Sequence, residues 1–179
     1  MGRALNLAVL FLLGCSRHPS EGNLPSAPVV ASAQGVQAAG DQVLAAIERG
    51  ACFGICPVYR LTVRANGVVS YEGTSFVRVK GHAEARLDPG AMARLRNAFA
   101  EARFGSFADV YETATLSDGA TTVLSFGEGR EPKTVRHNSG DLSAPRALSD
   151  LERRMEQIVE VERWIGTDAE RIQNVAAWR

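Results

Sequence analysis

Between residues 59 and 73 the chain reads YRLTVRANGVVSYEG, and no other segment constrains its fold as tightly. Tyr59, Leu61 and Val63 alternate with Arg60, Thr62 and Arg64; beyond Ala65-Asn66-Gly67, Val69 and Tyr71 alternate with Ser70 and Glu72. A period of two sends successive side chains to opposite faces, so each run is a half-buried strand and the two form a hairpin. Register decides the turn. A two-residue Asn-Gly loop would set Val63 against Ser70 and Leu61 against Glu72, mixing apolar with polar on one face. A three-residue loop, with Gly67 left-handed in a bulge, sets Val63 against Val69 and Leu61 against Tyr71, and is the expected turn.

An apolar sheet face needs a cover, and two segments supply one. Asp88 as N-cap and Pro89 at the first helical position open a helix whose stripe is Met92, Leu95, Phe99 and Ala102. A second, longer helix is expected from about Pro145 to Ile165, with Leu148, Leu151, Met155, Ile158 and Ile165 on its apolar side. Between and around them, residues 75–80 and 82–87 read as two strands about Gly81, and TTVLSF (121–126) with KTVRHN (133–138) as a second hairpin. FGSFADVY (104–111) ends the first helix with aromatic core plugs, and Asp118-Gly119 marks a turn in the polar loop that follows. VLAAIER (43–49) suits a helix by its alanines and a strand by its length, and periodicity alone does not choose. Thr167 to Glu170 resembles a capping box for a short terminal helix. The order of elements predicts an α+β fold: one antiparallel sheet of hairpins covered by two amphipathic helices, in a single domain.

The first residues bear on location. Arg3 precedes an uncharged run at 4–13, then Gly14 and Cys15, which reads as a secretory signal. Ten residues fall well short of the ~20 needed to cross a bilayer. Leu12-Leu13-Gly14-Cys15 resembles a bacterial lipobox, which implies cleavage before Cys15 and acylation of its thiol. Each acyl CH₂ buried in lipid contributes about 0.8 kcal/mol, so such chains would hold the protein at a membrane. Ser16 after that cysteine leans towards the periplasmic face of the outer membrane. The expected plan is a signal peptide at 1–14, a lipidated cysteine and flexible Ser/Pro/Gly/Ala-rich linker at 15–40, a domain at 41–166 and a short helix or tail at 167–179. His18 is then a solvated linker residue. Twenty Lys plus Arg balance twenty Asp plus Glu, so the chain offers no general attraction for phosphate backbones, and no nucleic-acid partner is expected.

Export places Cys52 and Cys56, the two thiols left over, where disulfides persist. Four extended residues would hold their Cα atoms about 13 Å apart, beyond the roughly 4.4–6.8 Å that a disulfide spans, so the chain between them must turn. Gly54 permits the turn, and Pro57 pushes Cys56 towards the extended region and the strand that follows. A loop this short removes on the order of 2 kcal/mol of unfolded-state entropy, which suits a local staple at the entrance to the hairpin. Other chemistries compete for the pair. Haem attachment needs Cys-x-x-Cys-His, and Pro57 stands in the histidine place. Zinc needs two more ligands, and His82 and His137 lack paired spacing. Copper handling or thiol exchange is the open alternative, because Cys52-x-x-x-Cys56-Pro57 is similar to the motif of thioredoxin-like copper chaperones, with His137 as the remote ligand. In that family a helix follows the motif; here a hairpin does.

CFGICPVYRLTVRANGVVSYEG resembles the opening of an uncharacterised bacterial family, domain of unknown function 6438, whose members are often lipoproteins. The matching positions are Cys52, Phe53, Gly54, Cys56, Pro57, Tyr59, Gly67, Tyr71 and Gly73. The resemblance covers roughly residues 42–165, implies that VLAAIER is a strand, and brings no activity with it. No Gly-x-Ser-x-Gly elbow, phosphate loop or His-Glu-x-x-His occurs in the chain. An acid–base cluster of Tyr111, Asp118 and His137 is outweighed by a core tyrosine, a turn carboxylate and a strand-end histidine. The expectation is therefore a lipid-anchored, non-enzymatic binding module for an envelope ligand or protein, needing no cofactor.

Overall fold

The computed structural model describes residues 40–112, 118–128 and 131–179. Cys15, His18, the apolar run and the linker up to residue 39 lie outside the described residues, as does part of the loop before Asp118.

Alternating sequence becomes one sheet. Its strands are β1 (Val43–Arg49), β2 (Val58–Arg64), β3 (Val68–Ser75), β4 (Gly81–Arg86), β5 (Val110–Tyr111), β6 (Thr121–Phe126) and β7 (Lys133–Asn138), in the order β4-β3-β2-β1-β6-β7-β5. Every neighbouring pair is antiparallel except β5, which lies parallel to β7. The β2–β3 hairpin has the three-residue turn: Val63 faces Val69, Leu61 faces Tyr71, and Gly67 has φ 84°. A Cβ on Gly67 would also stand 2.9 Å from the Leu87 carbonyl oxygen, so sterics and φ both select glycine there.

Two amphipathic helices cover one face. They are α1 (Pro89–Glu101) and α2 (Arg146–Ile158). Asp88 caps α1, its Oδ1 accepting from the Ala91 N–H at 2.7 Å, with Pro89 in the first turn. Under the helices run two apolar rows, each crossing the sheet by ladder neighbours. One passes through Tyr71, Leu61, Ile47, Leu124 and Val135, the other through Val69, Val63, Ala45 and Phe126. Met92, Leu95 and Phe99 of α1 and Leu148, Leu151 and Met155 of α2 close over them. The opposite face carries Arg60, Glu72, Glu84, Thr134 and Arg136 and is exposed. This α+β arrangement is the expected one, and VLAAIER is its central strand, paired on both sides.

Two expected elements are different. Residues 75–80 are not a strand: β3 ends at Ser75, Phe76 turns left-handed at φ 54°, and the chain leaves the ladder. Val77 is fully buried and the Val79 N–H donates to the Trp164 carbonyl at 2.9 Å, so the alternating FVRVK packs on the C-terminal segment instead of on a strand. The long helix 145–165 is cut after Ile158. Glu160 is left-handed at φ 54°, its N–H donates to the Gln157 carbonyl at 3.1 Å, and the Val161 N–H donates to the Glu156 carbonyl at 3.0 Å. These two bonds close the helix as a Schellman motif, with glutamate where glycine is usual and Val161 buried beyond it. Short helices α3 (Glu162–Ile165), α4 (Asp168–Gln173) and α5 (Val175–Trp178) follow. The Thr167–Glu170 capping box is present at α4, and it helps to hold the Glu170 carboxyl below the usual range, together with Arg78. The aromatic rings of Tyr59, Tyr71 and Trp164 stack in series, centroids 5.8 and 5.0 Å apart.

Candidate functional site

A third row crosses the covered face at its other end, and it is polar. Ladder pairing sets Tyr59 of β2 beside Arg49 of β1, Arg49 beside Thr122 of β6, Thr122 beside His137 of β7, and His137 beside Tyr111 of β5. Tyr59, Arg49, Thr122 and His137 each lie two residues from an apolar position of their strand, Leu61, Ile47, Leu124 and Val135, so the sheet presents them on the helix side. Helix α2 lays two carboxylates over the row from Glu152 and Glu156, one turn apart on its flank.

Arg49 is the hub. Its Nη1 donates to Thr122 Oγ1 and to Glu152 Oε2, each at 2.8 Å, and its Nε donates to Glu156 Oε1 at 2.8 Å. Burial by itself would lower the Arg49 pKa, but Glu156 and Glu152 outweigh it and hold the guanidinium above its ordinary value. The Tyr59 hydroxyl donates to the same oxygen of Glu156. Burial first, and then the Glu156 charge, push the Tyr59 phenol well above its usual pKa. On the far side of Glu152, its Oε1 stands 3.1 Å from His137 Nδ1. His137 is 4% exposed and Glu152 2%, and these two facing atoms make no hydrogen bond with any other group.

The cysteine loop borders this end of the sheet. Cys52 and Cys56 form a disulfide with Cα atoms 5.8 Å apart, between the end of β1 and the start of β2. Gly50 donates its N–H to the Thr121 carbonyl at 2.8 Å and Phe53 to the Asp118 carbonyl at 3.1 Å, while Gly54 donates to the Cys52 carbonyl at 2.9 Å. The loop after β7 joins in: Asn138 Nδ2 donates to the Gly119 carbonyl at 3.0 Å and the Ser139 N–H to the Ala120 carbonyl at 2.9 Å. Three loops are thus sewn edge to edge. Phe53 rides on top of the disulfide loop and is 90% exposed.

Of the residues singled out from the sequence, the structure brings some together and separates others. Cys52 and Cys56 hold each other, Tyr59 enters the polar row, Pro57 is half-buried beside it, and Gly67 works in the hairpin turn at the far end of β2. The copper set Cys52, Cys56 and His137 is not assembled: no group of three or more His, Cys, Asp or Glu able to hold a metal occurs among the described residues. His137 turns instead to Glu152, and His82 stands exposed on β4 between Glu72 and Glu84. Tyr111 is indeed beside His137, but its hydroxyl accepts the Ala108 N–H at 2.9 Å, and the Asp118 carbonyl holds Phe53. Arg49, Thr122, Glu152 and Glu156 were not singled out. A signal existed in the odd-numbered face of β1, where arginine follows Ala45 and Ile47, and in glutamates bordering the Leu148–Leu151–Met155 stripe.

Against that geometry, the profile of a domain of unknown function, DUF6438, matches residues 44–159. This chain belongs to the DUF6438 family. The match begins in β1 and ends at the C-cap of α2, so the disulfide loop and the whole polar row lie inside the DUF6438 domain, while α3 to α5 follow it. Comparison with curated proteins found none that matches the chain.

Proposed function

We propose that this DUF6438 chain is a lipid-anchored envelope protein, held through Cys15 at the periplasmic face of the outer membrane, whose domain is a non-enzymatic binding module. The anchoring part is supported by the run at 4–13 ending in Leu12-Leu13-Gly14-Cys15, and export agrees with a disulfide between the other two cysteines. The binding part is carried by one observation. A short uncharged loop, ACFGICPV, is closed covalently and turns its phenylalanine outwards. Were the loop only a staple for the core, Phe53 would gain about 2–3 kcal/mol by folding inwards. Held out on a constrained loop, it is an aromatic anchor whose ordering cost is already met, which suits insertion into an apolar recess of an envelope protein. The polar row favours a structural task over chemistry at Arg49, because its Nε and Nη1 are held by Thr122, Glu152 and Glu156.

Two measurements test the reading. Intact mass of the mature protein is expected to show cleavage before Cys15, acyl chains on it and two hydrogens fewer for the disulfide. A photo-crosslinking residue at position 53 is expected to give a discrete adduct in intact cells, with none from position 134 on the exposed sheet face. Absence of any adduct at 53 in correctly anchored, folded protein overturns the binding assignment.

A further inference from the structure

The two edges of the sheet are unequal. One is β5, two residues long; the other is β4, six residues in unbroken register with β3. An open edge carries backbone donors and acceptors that can template another strand, and proteins guard it with proline, a bulge or a covering element. β4 has no proline and no bulge, and no strand pairs with its outer side among the described residues. The ladder fixes which groups face outwards. The Leu87 N–H donates to the Gly67 carbonyl at 2.9 Å, and bonded pairs recur at every second residue, so Ala85 is bonded to Val69 and Ala83 to Tyr71. The N–H and carbonyl groups of His82, Glu84 and Arg86 therefore point away from β3, and no backbone group holds them among the described residues.

Side chains select the partner. Elsewhere on the exposed face of this sheet, charges meet across strands: Arg60 of β2 donates its Nε to Glu48 of β1 at 3.0 Å, and Arg136 of β7 donates its Nε to Glu112, just beyond β5, at 2.7 Å. Glu84 and Arg86 instead lie opposite Ser70 and Val68, which cannot answer them. Arg86 holds the Asn66 carbonyl through Nη1 and has no carboxylate partner among the described residues, while Glu84 meets only the His82 imidazole, at 3.4 Å. Opposite charges two residues apart are self-complementary when two such strands run antiparallel. A two-fold axis at Ala85 sets Glu84 against Arg86, Arg86 against Glu84 and His82 against Asp88 on the exposed face. On the covered face it sets Ala85 against its own copy and Ala83 against Leu87. An axis at Glu84 would oppose that carboxylate to itself, and one at Ala83 would oppose Arg86 to Lys80.

We propose that the β4 edge pairs antiparallel with the β4 edge of a second copy of this chain, about a two-fold axis at Ala85, so that the two sheets continue as one. Glu84 and Arg86 of opposite copies exchange backbone hydrogen bonds and bring their charges together on the exposed face. A seam this short buries less than a permanent interface does, so the dimer is weak and reversible. It rests neither on Phe53 nor on the lipid anchor.

The test is sedimentation velocity of the full chain carrying Cys15→Ser, which takes acyl chains out of the measurement, at concentrations up to about 1 mM so that weak association is seen. A monomer–dimer equilibrium is expected. As the dimer fills, amide exchange at His82, Glu84 and Arg86 is expected to slow, while exchange along β5 keeps its rate. Glu84→Arg and Arg86→Glu, both exposed changes, are each expected to weaken the dimer about tenfold or more, because each turns both cross-strand pairs into like charges. The double variant Glu84→Arg/Arg86→Glu is expected to restore it. A chain that stays monomeric throughout the range, an association that both single variants leave intact, or a double variant no tighter than the singles overturns the assignment.

Discussion

At one end of the covered face Phe126 stacks on Phe99 at 4.1 Å, beside Ala45, Val63 and Val69. At the other end the same three central strands carry Tyr59, Arg49 and Thr122, and glutamates of α2 stand where α1 has placed its phenylalanine. The first end is held by many weak contacts that are nearly interchangeable, so losing one methyl group loses one share. The second is held by a few directed bonds in a low-dielectric setting, where removing one partner strands the others. Apolar packing therefore fails gradually, and a buried ionic network fails all at once.

Glu152→Ala offers the largest break in that comparison. Arg49 and His137 would each lose a buried partner, and urea unfolding is expected to show a loss of about 3–5 kcal/mol. An all-apolar replacement of Arg49, Glu152 and Glu156 together is expected to recover much of that loss, since no guanidinium or carboxylate of the network is then left unpaired. A triple variant as weak as the single one would show that both ends obey the same rule. Leu95→Ala, in the fully buried stripe of α1, is expected to cost about 2–5 kcal/mol by the same assay, according to how far the cavity collapses. Replacing Cys52 and Cys56 together by serine is expected to cost about 2 kcal/mol and to leave the sheet spectrum unchanged, because the loop spans few residues. Gly67→Ala, at φ 84° and facing the Leu87 carbonyl, is expected to cost about 1 kcal/mol or somewhat more in a thermal melt.

Alkali probes the polar end without mutation. The Tyr59 phenol is held well above its usual pKa, and burial together with Glu72 pushes Tyr71 up to about 12. Phenols raised in the fold bind protons that the unfolded chain releases near pH 10, so their contribution is complete below about pH 10 and is lost as pH rises towards 12. Stability is expected to fall across that window, with tyrosinate absorbance from these two rings appearing together with unfolding. Ionisation of both rings in a chain that stays folded would contradict the picture.

Much of this architecture was legible because local pattern and tertiary fate agree. The Leu61–Tyr71 and Val63–Val69 register follows from alternation alone, since a one-residue slip would turn every apolar side chain outwards. The end of α2 was illegible for a definite reason: Glu160 takes the left-handed position that a glycine would have advertised, so the apolar stripe reads straight through it. Val77 and Val79 alternate with Arg78 and Lys80 like a strand because they turn inwards, but Val79 bonds to Trp164, a distant residue that no local rule points to. The cysteine pairing could be argued from compartment and reach, whereas the polar row could not. Arg49, Thr122, His137 and Glu152 are far apart in sequence, and only the sheet order makes them neighbours.

That order also sets a sequence of events in time. β1 is among the first parts of the domain to emerge during synthesis, yet it is the middle of the finished sheet. β2, β3 and β4 can join it in turn as a meander, but its other edge stays open until β6 arrives beyond α1. During that interval a strand backed by Leu44, Ala45 and Ile47 shows unpaired amides and carbonyls to any passing chain. The middle strand of the finished sheet is, for a short while, its most sociable one, and a chain cut before Thr121 would keep that hazard for good.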